Sequence, residues 1–119
     1  MGQNASYKEV VMKVYEIVLT PNGVATVWHN SLVPLKDEHL YRVYHEEIGE
    51  YEYFFVKNGK KVTLTTSKDH KKNVKIHKYL RTLNKSVSKK SIKKVVGNIN
   101  TDIIDSNIFT GGNELVVID

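Results

Sequence analysis

The residues with the clearest chemical character form a basic segment between Lys68 and Lys94. This segment holds eleven Lys or Arg residues and one acid, Asp69. Residues 1–67 carry seven basic residues against eight acids, and residues 95–119 carry no basic residue against four acids. The net charge of +5 therefore comes from one stretch of the chain. Such segregation predicts an anionic partner, because a face of ammonium groups displaces counterions from phosphates.

The chain uses lysine for almost all of its positive charge, with sixteen lysines and two arginines. Lysine is a flexible, strongly hydrated point charge, whereas the planar fork of arginine suits bidentate reading of a base. The composition therefore predicts DNA or RNA binding through phosphates, with weak sequence selectivity. An acidic protein bound by an interaction or inhibitor module is the alternative. The candidate contact residues are Lys71, Lys75, Lys78, Arg81, Lys85, Lys89, Lys90, Lys93 and Lys94.

The N-terminus adds a second alternative, because Met1–Ser6 matches the N-myristoylation pattern and makes Gly2 a lipidation candidate. One acyl chain binds a membrane only marginally, but an acyl chain with a basic patch is a stable anchor. A peripheral, matrix-like membrane protein would combine Gly2 with the basic segment. If Met12 is the true start, residues 1–11 are a flexible extension.

Neither the histidines nor the acids predict a catalytic or metal site. His70 and His77 are seven residues apart, about 10 Å along a helix, which is too far for both to bind one metal ion. The chain has no phosphate-binding loop, dinucleotide fingerprint, nucleophile elbow or zinc motif. We expect no enzyme activity and no cofactor; a ribonuclease that pairs a histidine with lysines is the catalytic alternative. The acids Glu46, Glu47, Glu50 and Glu52 form a patch that we expect to be solvated.

Composition also bounds the location of the protein. The chain has no cysteine, so it forms no disulfide and no thiolate metal site. No apolar run is long enough to span a membrane, and no signal peptide is apparent, so we expect an intracellular, cytoplasmic protein. Small viral and mobile-element proteins often have this size and composition, which assigns no origin.

Two helices are predicted to present the basic side chains. Thr66 and Asp69 have capping-box spacing and predict a helix from there to about Asn84. Its apolar positions predict one buried face, with the lysines opposite, and are Ile76, Tyr79, Leu80 and Leu83. A shorter helix is predicted over Lys89–Val96, with Ser88 as N-cap and Gly97 after its end.

Hairpins are predicted to form the sheet beneath these helices. Lys13–Leu19 and Val24–Asn30 flank a Pro-Asn-Gly turn, and Tyr51–Lys57 and Lys60–Thr66 flank Asn58-Gly59, the strongest short hairpin signal. Tyr51, Tyr53 and Phe55 then share one face, where they either stack nucleic-acid bases or pack in the core.

The remaining segments complete the predicted order of elements. A helix is predicted between Asp37 and Ile48, ended by Gly49, with a strand over Leu40–His45 as the alternative. Gly111-Gly112 predicts a turn between strands at residues 108–110 and 114–118. The whole predicts one small α+β domain over residues 12–119, a mainly antiparallel sheet with two basic helices packed on it, in the order β-β-α-β-β-α-α-β-β.

Overall fold

Antiparallel hydrogen bonding joins the six described strands into one sheet. The computed structural model describes residues 12–83, 91–104 and 115–117. Its strands and helices are β1 Met12–Thr20, β2 Gly23–Trp28, β3 Leu40–His45, β4 Glu50–Lys57, β5 Lys60–Thr63, α1 His70–Thr82, α2 Ile92–Asn98 and β6 Leu115–Val117. The strands lie in the order β2-β1-β3-β4-β5-β6. The predicted α+β class, with helices packed on a mainly antiparallel sheet, is confirmed.

Both predicted hairpins are present. β1 pairs with β2 across a turn at Pro21-Asn22, and β4 pairs with β5 across Asn58-Gly59. The φ angles of Asn58 and Gly59 are 54° and 73°, so both residues adopt the left-handed conformation that a type I′ turn requires. The Asn-Gly pair therefore determines the register of the β4–β5 hairpin.

The helix predicted between Asp37 and Ile48 is wrong, and the alternative strand at Leu40–His45 is present as β3. β3 lies between β1 and β4 and is buried on both faces, so its apolar residues do not simply alternate with polar ones. The apolar residues Leu40, Val43 and Tyr44 therefore have the i, i+3, i+4 spacing that is typical of a helix. Gly49, expected to end a helix, instead lies in the turn between β3 and β4 at a φ of 68°.

Helix α1 presents the first part of the basic segment, as predicted, although it begins later than the capping pattern indicated. The Thr66 amide donates to Asp69 Oδ2 at 3.4 Å, while the Thr66 side chain accepts from the Lys68 amide at 3.2 Å. These bonds form a turn before the helix, which starts at His70. The predicted inner face is confirmed, because Ile76, Leu80 and Leu83 are buried and Tyr79 packs against the same core.

Helix α2 begins and ends later than predicted. Ser91, not Ser88, is its N-cap and accepts a hydrogen bond from the Lys94 amide. The helix continues through Gly97 into a π-helical turn at Ile99–Ile103. Because Ile99 is fully buried, core packing extends the helical backbone beyond the glycine that was expected to stop it. Residues 84–90 lie outside the described residues.

The sheet has apolar contacts on both faces. On the face covered by helices, Ile17, Leu40 and Phe55 pack with Ile76 and Val95 in the larger core. The opposite face carries a smaller cluster, which is Tyr41, Val43, Phe54 and Val56 with Val14 and Leu35 beside them. Within the described residues, no helix is long and apolar enough to cross a membrane.

The C-terminal strand β6 lies within the predicted span 114–118 and pairs with β5. The strand predicted at residues 108–110 lies outside the described residues. So do Gly2 and residues 1–11, and the proposed division at residue 12 stays a prediction.

Candidate functional site

The predicted basic residues of α1 are all exposed. Lys71, Lys75, Lys78 and Arg81 follow the outer side of the helix, while Asn73, Ile76 and Leu80 form its buried face. Among the described residues, no carboxylate lies within ion-pair distance of any of these four cations. The charge of α1 is therefore available to an external anion.

The basic residues outside α1 differ in their surroundings. On α2, Lys93 and Lys94 are exposed, and Lys93 Nζ lies 3.5 Å from Glu38 on the loop that precedes β3. This contact partly neutralises Lys93. Lys85, Lys89 and Lys90 lie outside the described residues, so their predicted role stays a prediction.

A groove lies between one flank of α1 and the sheet. Lys78 and Arg81 line a cavity of about 390 Å³ together with Tyr51 and His77. A second cavity of about 220 Å³ shares His77 and Arg81 and adds Arg42 of β3. We call the two cavities together the α1 groove, which is lined by Arg42, Tyr51, His77, Lys78 and Arg81. Neither cavity is lined by the other α1 cations, Lys71, Lys72 and Lys75.

Arg42 is the cation of this site that the sequence analysis missed. Its guanidinium lies 4.4 Å from the ring centre of Tyr51, and Nη1 lies 3.4 Å from the Tyr53 hydroxyl oxygen. The side chain is half-buried, its Nε has no hydrogen-bond partner, and no described carboxylate pairs with it. A partly desolvated cation without a counter-charge favours binding of an anion. The available sequence signal was an arginine within a β-rich run.

His77 lies beside Arg42, and their Nδ1 and Nη1 atoms are 3.5 Å apart. Arginine only donates hydrogen bonds, so this contact favours a neutral imidazole with its lone pair on Nδ1. Burial lowers the pKa of His77 below its usual value of 6.5, and the nearby charges of Arg42 and Arg81 lower it further. At neutral pH, the positive charge of the groove therefore comes from Arg42, Lys78 and Arg81.

Aromatic side chains continue from the groove across the sheet. Cross-strand pairing places Trp28, Tyr15 and Arg42 in one row on the face that the helices partly cover. The next row holds Lys13, Tyr44 and Tyr51, and the rings of Tyr44 and Tyr51 are 4.8 Å apart. Trp28 is 61% exposed.

Burial decides between base stacking and core packing for the aromatic residues of β4. Tyr53 and Phe55 are 0% and 1% exposed, so both belong to the core. Tyr51 shares their face but is half-buried. The aromatic residues of this face that lie outside the larger core are Tyr15 and Tyr44, which are half-buried, and Trp28, which is exposed.

Three of the four acids in the predicted acidic patch each pair with a basic side chain. Glu46 binds Lys13 at 2.8 Å, Glu50 binds His70 at 2.8 Å, and Glu52 lies 3.2 Å from His45. His39 similarly contacts Glu16. In the part of the chain that the structure describes, no group of three or more such side chains could hold a metal ion.

Comparison of the chain with known protein families, with curated proteins and with solved structures finds no match. The function therefore has to be inferred from the chemistry of the site. The site combines Arg42 and the α1 cations, which pair with no described carboxylate, with the half-buried rings of Tyr44 and Tyr51.

Proposed function

We propose that this protein binds nucleic acid through its phosphates and performs no catalysis on it. The observation that carries the proposal is the exposed row of cations on α1, none of which pairs with a described carboxylate. Successive phosphates of one strand present closely spaced charges, which a helix-long row of ammonium groups matches. The proposed contacts are Lys71, Lys75, Lys78 and Arg81 on α1, together with Lys85, Lys89, Lys90, Lys93 and Lys94 of the basic segment.

Arg42 supports the proposal independently, since it comes from the sheet and not from the basic segment. It places a cation that pairs with no described carboxylate beside Arg81 in one cavity of the α1 groove, and Lys78 lines the other cavity. Phosphate is the anion best matched to a cleft with several cationic donors. The dominance of lysine on α1 supports weak sequence selectivity, because lysine contacts the backbone more readily than it distinguishes bases. The proposal includes an intracellular, cytoplasmic location.

The test is a salt series of binding to double-stranded DNA, single-stranded DNA and RNA. If the four proposed contact residues of α1 each contact one phosphate, a plot of log K against log salt concentration should have a slope of about −3 to −4 on duplex DNA. The double variant Lys75→Glu/Lys78→Glu should lower the affinity and make the slope shallower by about 2.

The matched control is Lys36→Glu/Lys60→Glu, which changes the net charge equally at two exposed lysines outside the helices. It should retain most of the affinity and the original slope. Equal losses in both double variants would mean that net charge alone drives binding, which contradicts the proposed site. Absence of binding to all three nucleic acids at low salt, or binding only to an acidic protein or to anionic vesicles, would refute the proposal.

A further inference from the structure

Helix α1 covers only part of the sheet face on which it packs. Near its start, Asn73 donates to the Tyr51 carbonyl oxygen on β4 at 2.7 Å, and near its end, Arg81 lines a cavity with Thr26 on β2. The helix therefore crosses the sheet from β4 towards β2. Tyr15, Tyr44 and Trp28 share the covered face but lie outside the larger buried cluster.

Three aromatic side chains of this face lie outside the larger core and form a surface of suitable size for a few bases, namely Tyr15, Tyr44 and Trp28. Tyr44 lies beside Tyr51, and Tyr15 lies between Trp28 and Arg42 in register. Neighbouring strands are about 4.8 Å apart, so the surface extends about 14 Å from β2 to β4. That length accommodates about two or three unstacked nucleotides.

Cations border this aromatic surface on the helix side. Arg42 lies within the same cross-strand row as Tyr15 and Trp28, and Lys78 and Arg81 of α1 line the groove beside Tyr51. A nucleic-acid strand here would place bases against the rings and phosphates against the helix. Exposed lysines alone would attract any polyanion, whereas an exposed indole beside tyrosines adds affinity for a polyanion whose bases present flat faces.

We infer that the aromatic surface and the α1 groove together form a binding site for single-stranded nucleic acid, with bases stacked on Trp28 and Tyr44. The inference rests on the proposed function and specifies its ligand. In a duplex, the faces of the bases are already covered by their neighbours, so a stacking site selects unpaired strands. Because every base has a flat face, such a site selects strandedness and not sequence.

Trp28 provides a direct measurement, because it is the one tryptophan in the chain. Titration with 15-nucleotide oligo-dT or oligo-rU should quench its fluorescence, whereas a 15-base-pair DNA duplex should quench it little. In anisotropy measurements with labelled nucleic acid, the single strand should bind at least tenfold more tightly than the duplex at equal salt. The oligonucleotide that binds more tightly shows whether the site prefers deoxyribose or ribose. Preferential binding of either single strand over the duplex supports the inference.

Substitutions of the aromatic residues distinguish the contribution of base stacking to affinity from that of charge. Trp28→Leu and Tyr44→Leu should each weaken single-strand binding by about fivefold or more and change duplex binding less than twofold. Trp28→Phe keeps an aromatic ring and should retain most of the affinity. Val27→Ala is the matched control, since Val27 is the exposed neighbour of Trp28 on the opposite face of β2. Circular dichroism of each variant confirms that the fold is retained.

The outcomes distinguish the inferred single-strand site from the proposed phosphate binding. Equal affinities for single strand and duplex, with no effect of Trp28→Leu, would overturn this inference and leave phosphate binding intact. Loss of affinity in Val27→Ala as large as in Trp28→Leu would also overturn it. Absence of binding to every nucleic acid would overturn the proposed function itself.

Discussion

The guanidinium of Arg42 lies 4.4 Å from the centre of the Tyr51 ring. The same ring stacks at 6.5 Å with His77 of α1 and contacts Tyr44 of β3. Tyr51 thus connects the helix with the sheet and holds an arginine that no described carboxylate neutralises. This contact orients the Arg42 side chain in the α1 groove before any ligand binds, which reduces the entropy lost on binding.

Replacing Arg42 with methionine should impair binding much more than folding. Methionine retains the apolar contact with Tyr51 and removes a half-buried charge, but it also removes the 3.4 Å hydrogen bond to the buried Tyr53 hydroxyl, so the free energy of unfolding should fall by about 1 kcal/mol. Single-strand affinity should fall about tenfold or more, because a cation–phosphate contact is lost from a partly desolvated site. Urea unfolding and anisotropy measure the two quantities. A variant that unfolds readily but still binds when folded would contradict this role.

Stability should depend on pH through His77. Burial and the charges of Arg42 and Arg81 lower its pKa in the folded protein, so the unfolded chain takes up this proton first as pH falls. The contribution is present above about pH 6.5 and is lost as pH falls through the lowered pKa. His77→Gln should therefore flatten the decline in stability between pH 7 and pH 5.

Urea unfolding at several pH values tests this dependence, with Lys75→Gln as the control that removes an exposed cation from the same helix. The Tyr53 hydroxyl also faces Arg42, and burial raises the pKa of Tyr53, so this group stays neutral throughout the pH range. Parallel stability curves for the wild type and His77→Gln would contradict the prediction.

Asn73→Ala should destabilise the protein by about 2–4 kcal/mol, because it leaves buried polar groups unpaired. The Asn73 amide donates to the carbonyl oxygens of Tyr51 and Thr66, and its oxygen accepts a hydrogen bond from the Thr65 hydroxyl. Lys72→Ala, at the preceding exposed position, should change stability by less than about 0.5 kcal/mol. Thermal and urea unfolding provide the comparison, and similar values for both variants would refute the argument.

Alanine should have opposite effects at two glycines. Gly59 has a φ of 73°, so Gly59→Ala should cost about 1 kcal/mol through backbone strain. Gly97 lies in α2, where an added Cβ meets nothing within 4 Å, so Gly97→Ala should stabilise the protein by about 0.5–1 kcal/mol. Chemical denaturation measures both. Destabilisation by Gly97→Ala would show that the end of α2 requires glycine for another reason.

The sequence by itself determined the features that depend on neighbouring residues. Asn58-Gly59 specifies a tight turn through backbone conformation, and the spacing of Ile76, Leu80 and Leu83 specifies the inner face of α1. The outward position of Lys71, Lys75, Lys78 and Arg81 follows from the same helical period. These properties need no knowledge of what lies across the core.

Only the tertiary structure decided where distant residues meet. β3 is a strand because two neighbouring strands pair with it and both its faces are covered, which outweighs its helix-like spacing. The position of Arg42 against Tyr51 and His77 depends on strand register and on the path of α1 across the sheet. Strand pairing and helix docking are long-range contacts, so a local pattern shows which side chains carry charge but not which of them share a groove.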